Sequence, residues 1–90
     1  MPYTLICLDK PGALEIRKAN RDAHLAYIAE TGAVEQAGPF LDPEGQMIGS
    51  LVILTVETEE QAAEWAANDP YAKADLFDSV QIMHWKRVVG

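Results

Sequence analysis

Two residues of this chain have side chains suited to moving protons. His24 lies in RDAHLAYI, within a stretch of helical periodicity, and Asp69 lies in NDPYAKA, where a second helical stretch meets Pro70. An imidazole can take or give a proton near neutral pH, and a carboxylate can fix its tautomer and stabilise its charged form. If the fold brings them together, they form a general acid–base pair. Each also has a structural interpretation: a lone histidine on a half-apolar helix face is often structural, and Asp before Pro often starts a turn.

Two arginines share a helix stripe with the histidine. At 100° per residue, Arg17, Arg21 and His24 fall together with the apolar residues that should pack on a sheet. Buried arginines are costly unless they are paired or lie at the edge of a cleft. Their planar fork suits carboxylates and other oxyanions, so the stripe predicts a cleft for a small anionic or phenolic molecule. Alternatively, the arginines extend past the rim of the sheet and pair with acidic side chains.

Three other residues are weaker candidates. Ser50 begins an apolar strand and could donate a hydrogen bond into the cleft, or simply start the strand. Tyr71 could offer its hydroxyl to a pocket or pack in the core. His84 falls in mid-strand, where a partly exposed structural residue is the favoured interpretation. Trp65 and Trp85 are expected to be core or interface anchors.

The elements that must position these residues follow the order βαββαβ. Strand-like patterns cover residues 3–8, 34–40, 50–57 and 79–89. The first helix is predicted over 13–30, with Gly32 as its C-terminal stop. The second begins at Thr58, where Gln61 has capping-box spacing, and ends at Pro70. A short helical turn is predicted over 71–77.

This order predicts an α+β, ferredoxin-like fold: a four-stranded antiparallel sheet with two helices on one face. The other face would expose the apolar residues of SLVILTVE, residues 50–57. In so small a chain, a second copy is the simplest cover for that face. We therefore expect a homodimer whose two sheets face one another.

Length and composition exclude several classes of function. Residues 1–90 are expected to form one domain, and a formal net charge of −7 argues against nucleic-acid partners and anionic membrane surfaces. We expect no signal peptide, no membrane span and no metal site, because the corresponding patterns are absent. The single cysteine, Cys7, fits a reducing compartment, so a cytoplasmic location is expected.

The sequence resembles the YCII-related family over essentially its whole length. The resemblance rests on LEIRKANRDAHLAYI, on AGP at 37–39, on GSLVIL at 49–54 and on AAEWAANDPYAKADLF, in that order and spacing. It implies a single YCII-like domain with the ferredoxin-like fold that pairs into a dimeric α/β barrel. It also implies a His–Asp catalytic pair at His24 and Asp69, and a cleft around them lined by Arg17, Arg21, Ser50 and Tyr71.

The resemblance further implies a range of chemistry. One branch of the family removes HCl from a chlorinated hydroxyhydroquinone, and the related muconolactone isomerases also move protons on small rings. The leading hypothesis is therefore a lyase or isomerase that acts without a cofactor on a phenolic, quinone-like or lactone ring, as in the catabolism of aromatic compounds. The alternatives are a non-catalytic ligand-binding or accessory dimerisation domain, and a cofactor-independent monooxygenase.

Overall fold

The computed structural model describes residues 2–90. Its elements, in chain order, are β1 Tyr3–Asp9, α1 Leu14–Thr31, β2 Val34–Leu41, β3 Met47–Leu54, α2 Glu59–Asn68, α3 Pro70–Lys73 and β4 Phe77–His84. The strands form one sheet in the order β2-β3-β1-β4, and every neighbouring pair is antiparallel. The predicted ferredoxin-like α+β fold is confirmed.

The core lies between the helices and one face of the sheet. Alternate residues of the two central strands point towards the helices, among them Leu5 and Cys7 of β1 and Val52 and Leu54 of β3. Trp65 of α2 packs on this layer, as expected for a core anchor. Because both helices cover the same face, the inner side of α1 and the end of α2 lie side by side.

The helix ends follow the local signals in the sequence. α1 ends before Gly32, whose φ of 61° is left-handed and whose N–H donates to the Ile28 carbonyl. At α2, the Thr58 hydroxyl accepts from the Gln61 N–H at 3.1 Å. The Gln61 side-chain oxygen accepts from the Glu57 N–H, whereas in a standard capping box it would accept from the N–H of the N-cap residue, Thr58.

Three predicted boundaries were wrong. β3 covers Met47–Leu54, not 50–57, because Met47 and Gly49 pair with the end of β2. β4 covers Phe77–His84, not 79–89, because its partner β1 supplies pairs only from Asp9 to Tyr3. The helical turn predicted over 71–77 is α3, Pro70–Lys73. It starts at the proline because Asp69 caps it.

The other face of the sheet carries apolar side chains with no helix over them. Leu8 and Met83 remain 46% and 51% exposed, and Leu51 is half-buried. On this face the Thr4 hydroxyl is buried without a hydrogen-bond partner in residues 2–90. No helix in the described part of the chain is long and apolar enough to cross a bilayer.

Candidate active site

His24 and Asp69 meet at the centre of the helical layer. The His24 Nδ1 atom lies 2.8 Å from Asp69 Oδ1, and the two side chains are only 8% and 4% exposed. His24 comes from the inner side of α1, and Asp69 lies at the junction of α2 and α3. The expected proximity of the two residues is confirmed, although they are 45 positions apart in sequence.

Asp69 has a structural task at the same time. Its Oδ1 atom also accepts from the Tyr71 backbone N–H at 3.0 Å, which caps α3 directly before Pro70. The turn-forming interpretation of Asp69 and the pairing interpretation therefore describe one arrangement. The backbone of α3 holds the carboxylate in place, and the carboxylate in turn holds the imidazole.

This arrangement fixes the histidine tautomer. An ionised carboxylate only accepts hydrogen bonds, so Nδ1 carries the hydrogen and the neutral ring has a free lone pair on Nε2. Among residues 2–90, Nε2 of His24 has no hydrogen-bond partner, yet it is not among the fully buried unsatisfied atoms. Because His24 lines a cleft, Nε2 faces that cleft as a proton acceptor.

Arg17 is paired rather than free. Its Nε donates to Asp9 Oδ2 at 2.7 Å, and its Nη2 donates to Asp9 Oδ1 at 2.8 Å and to Ser50 Oγ at 2.9 Å. Burial opposes the charge of Arg17, but its hydrogen bonds to Asp9 and the Asp9 charge outweigh burial and raise the pKa of the guanidinium. The alternative of an acid-paired arginine is therefore correct for Arg17. The pair is buried, however, rather than extended past the sheet rim.

Arg21 is the more accessible cation of the cleft. Arg21 is exposed and lines the same cleft as His24, and it forms no ion pair within residues 2–90. Arg21 thus carries the positive charge that an incoming anion would meet.

Tyr71 forms the floor between these groups. Its ring stacks on the His24 ring with centroids 3.9 Å apart and planes 14° apart. The Arg17 guanidinium carbon lies 4.7 Å from the centre of the same ring. Burial raises the pKa of the Tyr71 hydroxyl, although Arg17 opposes this shift. Tyr71 therefore packs in the core and borders the cleft.

The cleft between α1 and the sheet has a volume of about 220 Å³. Its far rim is the exposed Ala37–Gly38–Pro39 stretch of β2, and its base includes Ser50 and Val52. A cavity of about 150 Å³ holds a benzene molecule. The cleft therefore has room for one substituted six-membered ring beside His24.

Some residues lie away from this cleft, and one residue that pairs with a member of the cleft was not predicted. His84 stacks on Tyr3 at 4.7 Å and is exposed, which fits its structural interpretation. Asp9, the partner of Arg17, lies just beyond the strand predicted over 3–8 and was not among the predicted site residues. The alternation of Leu5, Cys7 and Asp9 was the signal that places Asp9 on the helix side of β1. Within residues 2–90, no three side chains of the metal-ligating types cluster together.

Comparison with known proteins agrees with this architecture. The model of the YCII-related domain matches residues 1–86. This chain belongs to the YCII-related family. It is 35% identical over 97 residues to the protein YciI of Escherichia coli, in an alignment that covers 98% of this chain and 99% of the relative. An uncharacterized protein of Haemophilus influenzae matches at the same identity and coverage.

Two solved structures mark the range of the fold. One is TftG, the 5-chloro-2-hydroxyhydroquinone dehydrochlorinase of Burkholderia phenoliruptrix AC1100, in complex with 2,5-dihydroxybenzoquinone. It is 32% identical, covers 96% of this YCII chain and 94% of its own, and superimposes with a TM-score of 0.89. The other, PA3566 of Pseudomonas aeruginosa, is 16% identical with a TM-score of 0.60, over 98% and 95% of the two chains, and shares the fold alone.

Proposed function

We propose that this YCII-family protein is a lyase or isomerase that uses His24 and Asp69 as a general acid–base pair on a small hydroxylated ring. The observation that carries the proposal is the state of the imidazole. Asp69 holds Nδ1 at 2.8 Å, and Nε2 opens into a cleft of the right size for one ring. The similarity to TftG favours a phenolic or quinone-like substrate over a lactone.

For a chlorinated hydroxyhydroquinone, the steps balance without a cofactor. Nε2 takes the proton from the hydroxyl next to the chlorine-bearing carbon, and it returns that proton to the chlorine-bearing carbon itself. The hydroxyl oxygen becomes a carbonyl oxygen, and the chlorine-bearing carbon becomes tetrahedral. The hydroxyl para to the new carbonyl then gives its proton to water, its electrons form a second carbonyl and a new ring double bond, and chloride leaves. The net loss is HCl, and the product is a hydroxybenzoquinone.

The charged groups of the cleft suit these steps. Arg21, at the mouth, can stabilise negative charge that develops on a ring oxygen. Arg17 is neutralised by Asp9, and its Nε and Nη2 atoms are engaged by Asp9 and Ser50. Ser50 fixes the direction of the guanidinium through its bond to Nη2. We propose that Arg17, Arg21, Ser50 and Tyr71 bind the substrate around the catalytic pair.

We also propose that the protein acts as a homodimer. The sheet face that carries Leu8, Leu51 and Met83 has no cover within one chain, and the cleft lies on the opposite face. Two copies could therefore pack their open faces together as a dimeric α/β barrel and leave both clefts accessible.

The test is an anaerobic incubation with 5-chloro-2-hydroxyhydroquinone in D₂O. We expect chloride release, and one deuterium at the ring carbon that lost chlorine, because His24 delivers an exchangeable proton there. Saturable binding without chloride release would contradict the proposal and favour a non-catalytic ligand-binding domain. Turnover that requires and consumes oxygen would replace it with a cofactor-independent monooxygenase. A protein from Bacteroides thetaiotaomicron with a proposed monooxygenase role in antibiotic biosynthesis shares only the fold, at 14% identity and a TM-score of 0.60.

A further inference from the structure

Asp9 is a buried carboxylate to which the proposed steps give no task. Its side chain is 5% exposed, and that of Arg17 is 3% exposed. Both Asp9 oxygens are used by Arg17, and the guanidinium then reaches Ser50 with its remaining Nη2 hydrogen. The net stability that so deeply buried an ion pair contributes is small, since desolvation offsets much of its attraction.

The pair lies close to the proposed base. Arg17 and His24 are two turns apart on α1, which is about 10 Å along the helix axis. The centre of the Tyr71 ring lies 3.9 Å from the His24 ring centre and 4.7 Å from the Arg17 guanidinium carbon. The guanidinium carbon and the imidazole centre are therefore no more than about 9 Å apart, the sum of the two ring distances. At this distance and in a poorly solvated site, an unpaired charge on Arg17 would repel a positive charge on the His24 imidazole.

The other groups around His24 come from every element packed against it. Asp69 binds Nδ1 directly, and Arg21 lies on the exposed side of the cleft. The rims formed by β2 and β3 carry no charge, since they present Ala37–Gly38–Pro39 and Ser50. The remaining titratable or charged groups interact with the partners of His24. Cys7 of β1, Tyr27 of α1 and Tyr71 of α3 interact with the Asp69 charge, Asp9 of β1 pairs with Arg17, and Glu64 of α2 interacts with Tyr27.

We propose that Asp9 is a positioning residue of this site: it fixes the Arg17 guanidinium against Ser50 and Tyr71 and cancels its charge at His24. Arg21 is then the single uncompensated cation of the cleft. His24 can accept a proton because it faces one nearby positive charge instead of two. The inference rests on the proposed use of His24 as a base, but its test reads the imidazole alone and needs no turnover.

The experiment is an NMR titration of the His24 ring protons, with His84→Gln used to assign the second histidine. Asp9→Asn keeps an acceptor for Arg17 but leaves the guanidinium charge uncompensated. We expect the titration midpoint of His24 to fall by about 0.5–1 pH unit. Asp75→Asn is the matched control. It removes the same charge from an exposed pair with Lys10, and asparagine tolerates the left-handed φ of 61° at that position. We expect no shift in this control.

A double variant separates charge compensation from damage to the fold. In Asp9→Asn with Arg17→Gln, no buried charge is left unpaired, so the protein should fold even if the single Asp9 variant does not. In the double variant, the His24 midpoint should return to within about 0.3 pH unit of the wild type. In Arg17→Gln alone, the His24 midpoint should be higher than in the double variant, because the Asp9 charge is left uncompensated. Equal midpoints for Arg17→Gln and the double variant would overturn the proposal. So would a folded Asp9→Asn variant that titrates like the wild type. If the midpoints behave as expected but the wild-type protein does not turn over the proposed substrate, the result counts against the proposed function only.

Discussion

Asp69→Asn is the substitution whose effect the geometry determines most closely. The carboxylate makes two hydrogen bonds through Oδ1, one with the His24 ring at 2.8 Å and one from the Tyr71 backbone at 3.0 Å. An asparagine oxygen can still accept from the Tyr71 N–H, so the cap of α3 persists. The negative charge that stabilises a protonated His24 is lost.

The magnitude follows from the two kinds of hydrogen bond. A bond to a charged group contributes about 1.5–3 kcal/mol, and a neutral bond contributes about 1 kcal/mol. Loss of the difference from the transition state, about 0.5–2 kcal/mol, slows turnover by about 2- to 30-fold. A rotated amide would offer its NH₂ group to Nδ1 and favour the wrong tautomer. An analogous change in a Ser-His-Asp triad lowers kcat by about 10⁴-fold.

The assay compares kcat/KM and melting temperature for three variants. Asp69→Asn should lose rate but melt within a few degrees of the wild type. Asp69→Ala should lose rate and also stability, by about 1–2 kcal/mol, because the cap disappears. Asp22→Asn removes a charge from the exposed side of α1 and should change neither. An Asp69→Asn enzyme that keeps the full wild-type rate would refute the argument that Asp69 supports His24.

Three further predictions concern the rest of the molecule. Light scattering should give twice the mass of one chain, and a wild-type monomer would contradict the dimer. Leu51→Asp on the open sheet face should yield monomers, whereas the control Val89→Asp, at an exposed apolar residue, should leave the dimer intact. Burial, aided by the Asp69 charge, raises the pKa of the Cys7 thiol from 9.0 to about 12. Since the unfolded thiol ionises first, the free energy of unfolding should fall by about 1 kcal/mol per pH unit between pH 9 and 12, and a Cys7→Ala variant with the same slope in denaturant titrations would contradict this. Gly49→Ala should cost about 2 kcal/mol or more, because a Cβ would collide with the Cys7 carbonyl, whereas Gly38→Ala meets no atom within 4 Å and should cost less than 1 kcal/mol.

Much of the fold followed from local patterns in the sequence. The stop at Gly32, the cap at Thr58 and the helical stripe of Arg17 and His24 depend on near neighbours in the chain, so the sequence showed them. The contact between His24 and Asp69 followed from topology, because βαββαβ order places α1 beside the end of α2. Strand ends were harder to predict, since β4 extends only as far as β1 supplies partners.

The ion pair of Asp9 was missed for a related reason. Its closeness to Pro11 and Gly12 favours a turn, and only the continued alternation of β1 places its side chain among the helices. Whether a stripe arginine binds ligand or an acidic neighbour depends on that placement. The sequence therefore predicted that His24 and Asp69 meet and that Arg17, Arg21, Ser50 and Tyr71 border the same cleft, but not which arginine carries the free charge.

The central claim is that Nε2 of His24 transfers the proton, and the most direct test is anaerobic chloride release by two histidine variants. With 5-chloro-2-hydroxyhydroquinone as substrate, His24→Gln should lower kcat by about 10²–10⁴-fold, the usual contribution of a positioned base. His84→Gln, which changes the exposed histidine next to Tyr3, should retain the wild-type rate. A folded His24→Gln protein that releases chloride as fast as His84→Gln would contradict the account.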